Sequence, residues 1–322
     1  MSLLIQKEGI LTTVQDLGRT GYRDLGINPG GAMDRTAARL INILLGNAES
    51  EAVLEFHFPA GVLAFEIPVV FALGGANFDA RLDGEKIENW RPHFADAGSK
   101  LRFAGKNSGS RLYLSVLGGF VVEKWLGSSS TNLAAQAGGF NGCRLRSGDR
   151  IGFCSRFYDQ HPSLNYFISP SLIPFYRPFP TVRVIAGAEF DLLSKGSRKA
   201  FAESTYAVSG QSDRMGYRLT GPPLKLTRKL ELLSSAVSFG TIQLLPDGNL
   251  IVLMADHQTT GGYPRLGHVV SVDLPLLAQL GPGDKVGFHM VSMNEAERLL
   301  VDFEKEIDLL KIGSRFISHH TR

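Results

Sequence analysis

The chain is poor in the features that would make its chemistry obvious. It has two cysteines, Cys143 and Cys154, and their spacing fits no metal or redox motif. Both are read as reduced, mostly buried thiols. Long apolar runs are missing too. The longest, near Val62 to Leu73, is broken by Glu66 and Pro68 and cannot span a bilayer. The opening residues carry Gln6, Lys7 and Glu8 instead of an apolar signal core, so a cytoplasmic location is expected. A net charge of +3 is too weak to argue for nucleic acid or membrane. There is no phosphate-binding G-x-x-x-x-G-K-[ST] loop; the stretch from Gly98 to Asn107 comes nearest, with the wrong spacing. There is no nucleophile elbow, because Arg214 stands where Gly210-Gln211-Ser212-Asp213 would need a second glycine. No histidine pair has zinc-helix spacing, so no metal is expected. His319 and His320 fall in a tail expected to fray. No lysine sits in a Met-Lys-Met setting, so any biotin would have to come from another chain.

What is present points to β structure. Glycine makes up 36 of 322 residues, well above the usual ~7%, and it gathers at the ends of short apolar runs. Val69–Leu73, Leu112–Val116, Val182–Ile185 and Leu250–Met254 read as strands. Two segments read as helices. The first is capped by Asp34, carries Ala37, Leu40, Ile41 and Leu44 on one face, and stops at Gly46. The second starts near Asn294, with Glu295 and Glu297 at the positive end of its dipole, and ends at Gly313. Its apolar stripe, Ala296 to Leu310, reads as core packing.

The length suggests about two domains. Five prolines between Arg156 and Pro180 stop regular ladders there, which divides the chain into 1–160 and 175–322. Short matches between the halves suggest a duplication. Leu133–Gln136 pairs with Leu276–Gln279, Gly148–Phe153 with Gly283–Phe288, and Gly21–Arg23 with Gly216–Arg218.

Three segments concentrate polar groups beside glycine. The first runs from Thr12 through Asp16 and Arg19 to Gly30, Gly31 and Asp34. A glycine-rich loop entering a helix can hold an anion; alternatively, Asp16 and Arg19 pair near the surface. The second is Ser209–Leu219. Arg214 and Arg218 offer planar forks for a carboxylate or phosphate, with Gln211, Ser212 and Tyr217 beside them. Asp213 is either a general base or the holder of an arginine. The third, Met254–Pro264, delivers Asp256 as a candidate acid or base, then Gln258, Thr259, Thr260, Gly261, Gly262 and Tyr263. His257 points away by strand alternation. Each segment can also be read as a plain structural turn. Taken together they reach two β-rich domains with a polar groove for a small anion.

In this order, over about residues 3–290, the three segments resemble one family. It is variously called the C component of 5-oxoprolinase, allophanate hydrolase subunit 2 or the KipI antagonist, and is a biotin-dependent carboxyltransferase domain. Pro29-Gly30-Gly31-Ala32 departs from it, since many relatives have Ser before Gly-Ala. The resemblance implies a mainly β fold of two tandem cyclophilin-like β-barrels with few short helices and a C-terminal helix. It implies one component of an ATP-dependent complex opening 5-oxoproline to glutamate. Its partners there would be a KipI-like protein, the B component of 5-oxoprolinase, and a lactam utilisation protein, the A component. In that mechanism ATP activates the lactam oxygen, Arg214 and Arg218 steady charge, and Asp213 or Asp256 moves a proton. Two alternatives stay open. One is a carboxyltransferase acting on urea or a similar amide, with biotin supplied in trans. The other is a non-catalytic regulator binding a kinase-inhibitor partner.

Overall fold

The computed structural model describes residues 2–154, 164–228 and 230–320, so part of the proline-rich junction lies outside the described residues. Two compact units emerge. One comprises Met1–Arg19, Gly30–Pro174 and Lys305–Arg322, the other Thr20–Pro29 and Phe175–Glu304. Thr20–Pro29 thus belongs with the second unit although it lies early in the chain.

The first unit holds a seven-stranded and a five-stranded sheet. In the smaller sheet, Ser108–Val116 pairs on one side with Val53–His57 and on the other with Val69–Asn77. The central strands are buried on both faces, so they read as unbroken apolar runs instead of alternating ones. Between the sheets lies a phenylalanine-rich core in which the Phe65 and Phe71 rings stack at 4.9 Å. Helix α1 (Arg35–Leu44) begins where Asp34 is expected to cap it: its side chain accepts from the Ala37 N–H at 2.9 Å.

The second unit closes a seven-stranded barrel. Its ladders are antiparallel except one, where Thr181–Ala186 runs parallel to Lys285–Met290 and completes the ring. Phe201 from helix α2 (Lys195–Glu203) stacks on Phe288 at 4.9 Å and plugs the wall. The mainly β architecture expected from the sequence is therefore present, and all four strands named there form.

Helices account for the differences. α2 and α3 (Leu274–Ala278) are not anticipated by the sequence. α4 runs from Met293 to His320, past the expected stop at Gly313 and through the tail expected to fray. A mid-helix glycine costs about 1 kcal/mol. Contacts flanking it offset that: Ser314 Oγ donates to the Ile43 carbonyl at 2.5 Å and Lys311 Nζ reaches Glu49 at 3.1 Å. Cys143 and Cys154 are exposed free thiols, not buried ones, because each lies at a turn or strand end. Among the described residues, no helix is long and apolar enough to cross a membrane.

One repeated sequence pair adopts one structure. Ile5 N donates to Asp149 O while Gly148 N donates to Ile5 O; Val208 and the Gly283-Asp284 pair repeat both bonds, all four at 2.8–2.9 Å. Asp149 and Asp284 each close the same turn through a side-chain oxygen, and both glycines have φ near +90°. The other matches do not correspond. Leu133–Gln136 is a turn against a helix at Leu274–Ala278, and Gly21–Arg23 leads into a 3-10 turn at Arg23–Leu25 against a strand at Gly216–Arg218.

Burial pushes His93 and His268 below the ordinary histidine value. The unfolded chain then binds protons at a higher pH than the folded one, so stability is complete above ~6.5 and falls as pH drops below it. Thermal unfolding should move to lower temperature between pH 7.5 and 5.5. Replacing both histidines by glutamine should flatten that dependence.

Candidate functional site

The second and third polar segments are neighbours because of strand register. Gly216–Thr220 pairs antiparallel with Leu250–Leu253, Gly216 facing Leu253. The ladder continues past both strand ends: Met254 N donates to Met215 O and Asp256 N to Arg214 O. Arg214 and Asp256 therefore face each other, and they form a bidentate pair, Nε to Oδ2 at 2.7 Å and Nη2 to Oδ1 at 3.0 Å. Their side chains are 9% and 20% exposed. Asn28 Nδ2 donates to the Asp256 carbonyl at 2.9 Å, and Arg23 donates to Val237 O, fixing the Thr20–Pro29 segment. The Arg214 fork, expected to receive a ligand, is filled by Asp256. The pair works as a clip between the loops.

Period-two alternation separates the next residues. Tyr217 points into the barrel, buried, and its hydroxyl donates to Leu280 O; the barrel interior, not the groove, claims it. Arg218 points outward and is exposed. Its guanidinium makes no ion pair among the described residues. Opposite it stands Ile251, and opposite Ile251 stands Gln243. These three side chains form one row on the outer face of the barrel. Over this row lies a pocket of about 540 Å³. Gln211 and Asp213 reach it from one loop, Arg218 from the strand that follows, and Gln258 and Tyr263 from the other loop, with Met215 and Ile251 supplying apolar floor. Asp213 uses Oδ1 to accept from the Met215 and Gly216 N–H groups. Ser212 Oγ bonds both the N–H and the carbonyl of Arg218, holding the turn.

Two lining residues, Gln243 and Asp247, escape the sequence reading. Gln243 is the polar exception in Thr-Ile-Gln-Leu, and Asp247 lies in the Pro246–Asn249 turn; both are visible as anomalies. The Asn249 side chain and backbone N–H bond to Asp247 and hold its carboxyl below the usual range, so it stays charged at neutral pH.

The remaining candidates have other occupations. Thr259 O accepts from Val237 N, and Thr260–Gly261 pairs with Ser235–Ala236. Gly262 leaves an added Cβ 3.5 Å from its nearest neighbours. His257 is buried, but in a turn beyond the end of the strand, where alternation no longer applies. Asp16, Arg19, Gly30 and Gly31 belong to the first unit. Asp16 and Arg19 are buried there, not near the surface. Asp16 accepts from Gly18 N, Ser128 Oγ, Ser129 N and Ser130 Oγ. Arg19 donates to Ser130 O and lies over the Trp125 ring at 4.6 Å. The amides entering α1 are engaged within the unit: Ala32 N with Asp16 O, Met33 N with Glu55 Oε2, Asp34 N with Tyr113 Oη. The Glu55 carboxylate itself takes the place expected for an external anion. Burial, reinforced by Glu55, pushes the Tyr113 hydroxyl well above its ordinary value, so it donates at all working pH.

Gly31 has φ +97°, and a Cβ there would lie 2.9 Å from Gly18 N. Gly31→Ala combines left-handed strain with a backbone clash, at about 1–3 kcal/mol. A fall of several degrees in Tm is the expected result, with the second unit's pocket residues untouched.

Among the described residues no cluster of His, Cys, Asp and Glu could hold a metal. The pocket instead offers one exposed arginine, three glutamine amides and two carboxylates over an apolar floor.

Known proteins carry the same arrangement of chain. The Haemophilus influenzae protein named as the C subunit of 5-oxoprolinase is 37% identical over 93% of this chain and 94% of its own length. The Escherichia coli protein of that name is also 37% identical, over 96% and 97%. The solved structure of the K. lactis urea amidolyase superposes with a TM-score of 0.89 at 28% identity, covering 96% of this chain but 20% of that one. The family described as carboxyltransferase domain, subdomain A and B, matches residues 25–290. The chain belongs to this carboxyltransferase-domain family.

Proposed function

We propose that the chain is the C-type component of an ATP-dependent 5-oxoprolinase, opening 5-oxoproline to glutamate together with a lactam utilisation protein and a KipI-like protein. Near-complete, mutual coverage by two proteins named as 5-oxoprolinase C subunits supports this. The observation that carries it is the exposed Arg218 fork, without an ion pair among the described residues, at a small pocket flanked by Gln211 and Gln258. 5-Oxoproline is a five-membered lactam bearing one carboxylate. Arg218 takes that carboxylate in a bidentate pair, the Met215–Ile251 floor takes the ring methylenes, and the glutamine amides meet the lactam polar atoms. Asp213 holds its turn through Oδ1; through Oδ2 it takes a proton from the water that attacks the activated carbonyl and returns it to the ring nitrogen as the C–N bond breaks.

ATP enters as a co-substrate that activates the lactam oxygen. One arginine among two aspartates, Asp213 and Asp247, does not suit a triphosphate, so nucleotide binding is assigned to the partners. The Arg214–Asp256 clip sets the geometry without touching substrate.

The test is glutamate release from 5-oxoproline by the reconstituted complex with ATP. Activity that needs this chain and ATP, and resists avidin, supports the reading. No ATP-dependent release sinks it. The family model and the urea amidolyase superposition favour one second reading, carboxyl transfer to an amide with biotin supplied in trans. Avidin-sensitive activity would select that instead.

A further inference from the structure

Gln243 stands on Thr241–Leu244, fully buried, yet it lines the pocket. Its Nε2 donates to the Tyr263 carbonyl at 3.4 Å, which orients the amide. Its Oε1 has no hydrogen-bond partner among the described residues. A buried acceptor without a donor destabilises the fold it sits in, and native structures keep few of them. The cover over this amide is thin. A Cβ on Gly261 would lie 2.7 Å from Gln243 Nε2, so the backbone approaches as closely as glycine permits. Tyr263, on the same cover, is 44% exposed.

Register ties Gln243 to the anion end of the pocket. Both Arg218 and Gln243 are directly opposite Ile251, so all three project from one face. Two strand spacings put the outer Cα atoms roughly 10 Å apart. An arginine side chain spans most of that distance across Ile251. The row therefore presents a cation, an apolar floor and an unsatisfied acceptor in line.

We propose that Gln243 determines specificity by accepting the ring N–H of a cyclic amide whose carboxylate is held on Arg218. The inference rests on reading this pocket as the lactam site. It goes further in naming the atom that tells an amide from an ester. On ligand entry the Gly261–Tyr263 cover shifts, and Oε1 gains the donor it lacks. A lactone of the same shape brings a ring oxygen to the same place, and two acceptors repel.

The test compares 5-oxoproline with the matched lactone, 5-oxotetrahydrofuran-2-carboxylate, by calorimetric titration of the full chain, alone and with its partner proteins. The wild type should bind the lactam about tenfold more tightly, as one hydrogen bond allows. Gln243→Met should bring the two affinities together, by weakening the lactam, which loses its acceptor, and by easing the repulsion on the lactone. Its Tm should hold or rise, since an orphan acceptor is replaced by an apolar chain of similar length. Three results overturn the proposal: equal binding of lactam and lactone by the wild type, binding of neither, or a lactam preference that survives in Gln243→Met. The wild-type comparison decides the matter even if the variant does not fold. Turnover separates this proposal from the functional one. A complex that opens 5-oxoproline while Gln243→Met keeps its preference refutes the role of Gln243 and leaves the function standing.

Discussion

Arg218→Ala should raise the KM for 5-oxoproline roughly a hundredfold in the reconstituted complex. A hydrogen bond to a charged group is worth about 1.5–3 kcal/mol, and Arg218 can make two to a carboxylate, with the losses overlapping. Every 1.4 kcal/mol is a factor of ten. Arg218 is exposed and points away from the barrel interior, so Tm should barely move. Arg218→Lys keeps the charge but loses the fork, and should recover only part of the affinity. A KM unchanged in Arg218→Ala removes this residue from the substrate site.

Arg214→Ala should do something different. The guanidinium does not reach for substrate; it joins the two loops through Asp256. Removing it strands a carboxylate that is 20% exposed, a partly buried charge without its partner. Both loops then loosen, and the pocket residues they carry, Asp213 and Gln258, lose register. Misplacement of this order can cost about 10²-fold in rate. Loss should appear in kcat and KM together, with a lowered Tm, unlike the KM effect at Arg218. The double variant Arg214→Ala/Asp256→Ala should be less destabilised than the sum of the single ones, because no stranded charge remains. Strict additivity in that cycle would show that the pair is not a clip.

These expectations reverse part of what the sequence suggests about the two arginines, and the reason is physical. The stretch 211–219 announces itself as polar residues wedged between apolar flanks. Composition cannot say which fork is already taken. That depends on Asp256, 42 residues away, which meets Arg214 only because Gly216 pairs with Leu253. Alternation does carry usable information: once Arg218 is outward, Tyr217 must be inward, and it is. The same logic, run across the ladder through Ile251, reaches Gln243, but only after the register is known.

The first polar segment misleads for a similar reason. Asp16 beside Gly18 and Arg19 looks like a surface turn. Three of its four donors come from Ser128 to Ser130, more than a hundred residues on. Nothing local distinguishes a buried hub from an exposed pair. The N-cap Asp34 is legible because a cap and its helix are contiguous. The course of α4 through Gly313 is not, because Ser314 and Lys311 hold it through distant partners.

The central measurement is a crystal structure of the chain with its partner proteins and 5-oxoproline. The ligand should lie on the outer face of the barrel, its carboxylate about 3 Å from the Arg218 guanidinium and its ring over Ile251. A turnover-competent complex with 5-oxoproline bound elsewhere, and this pocket occupied by solvent alone, would contradict the account.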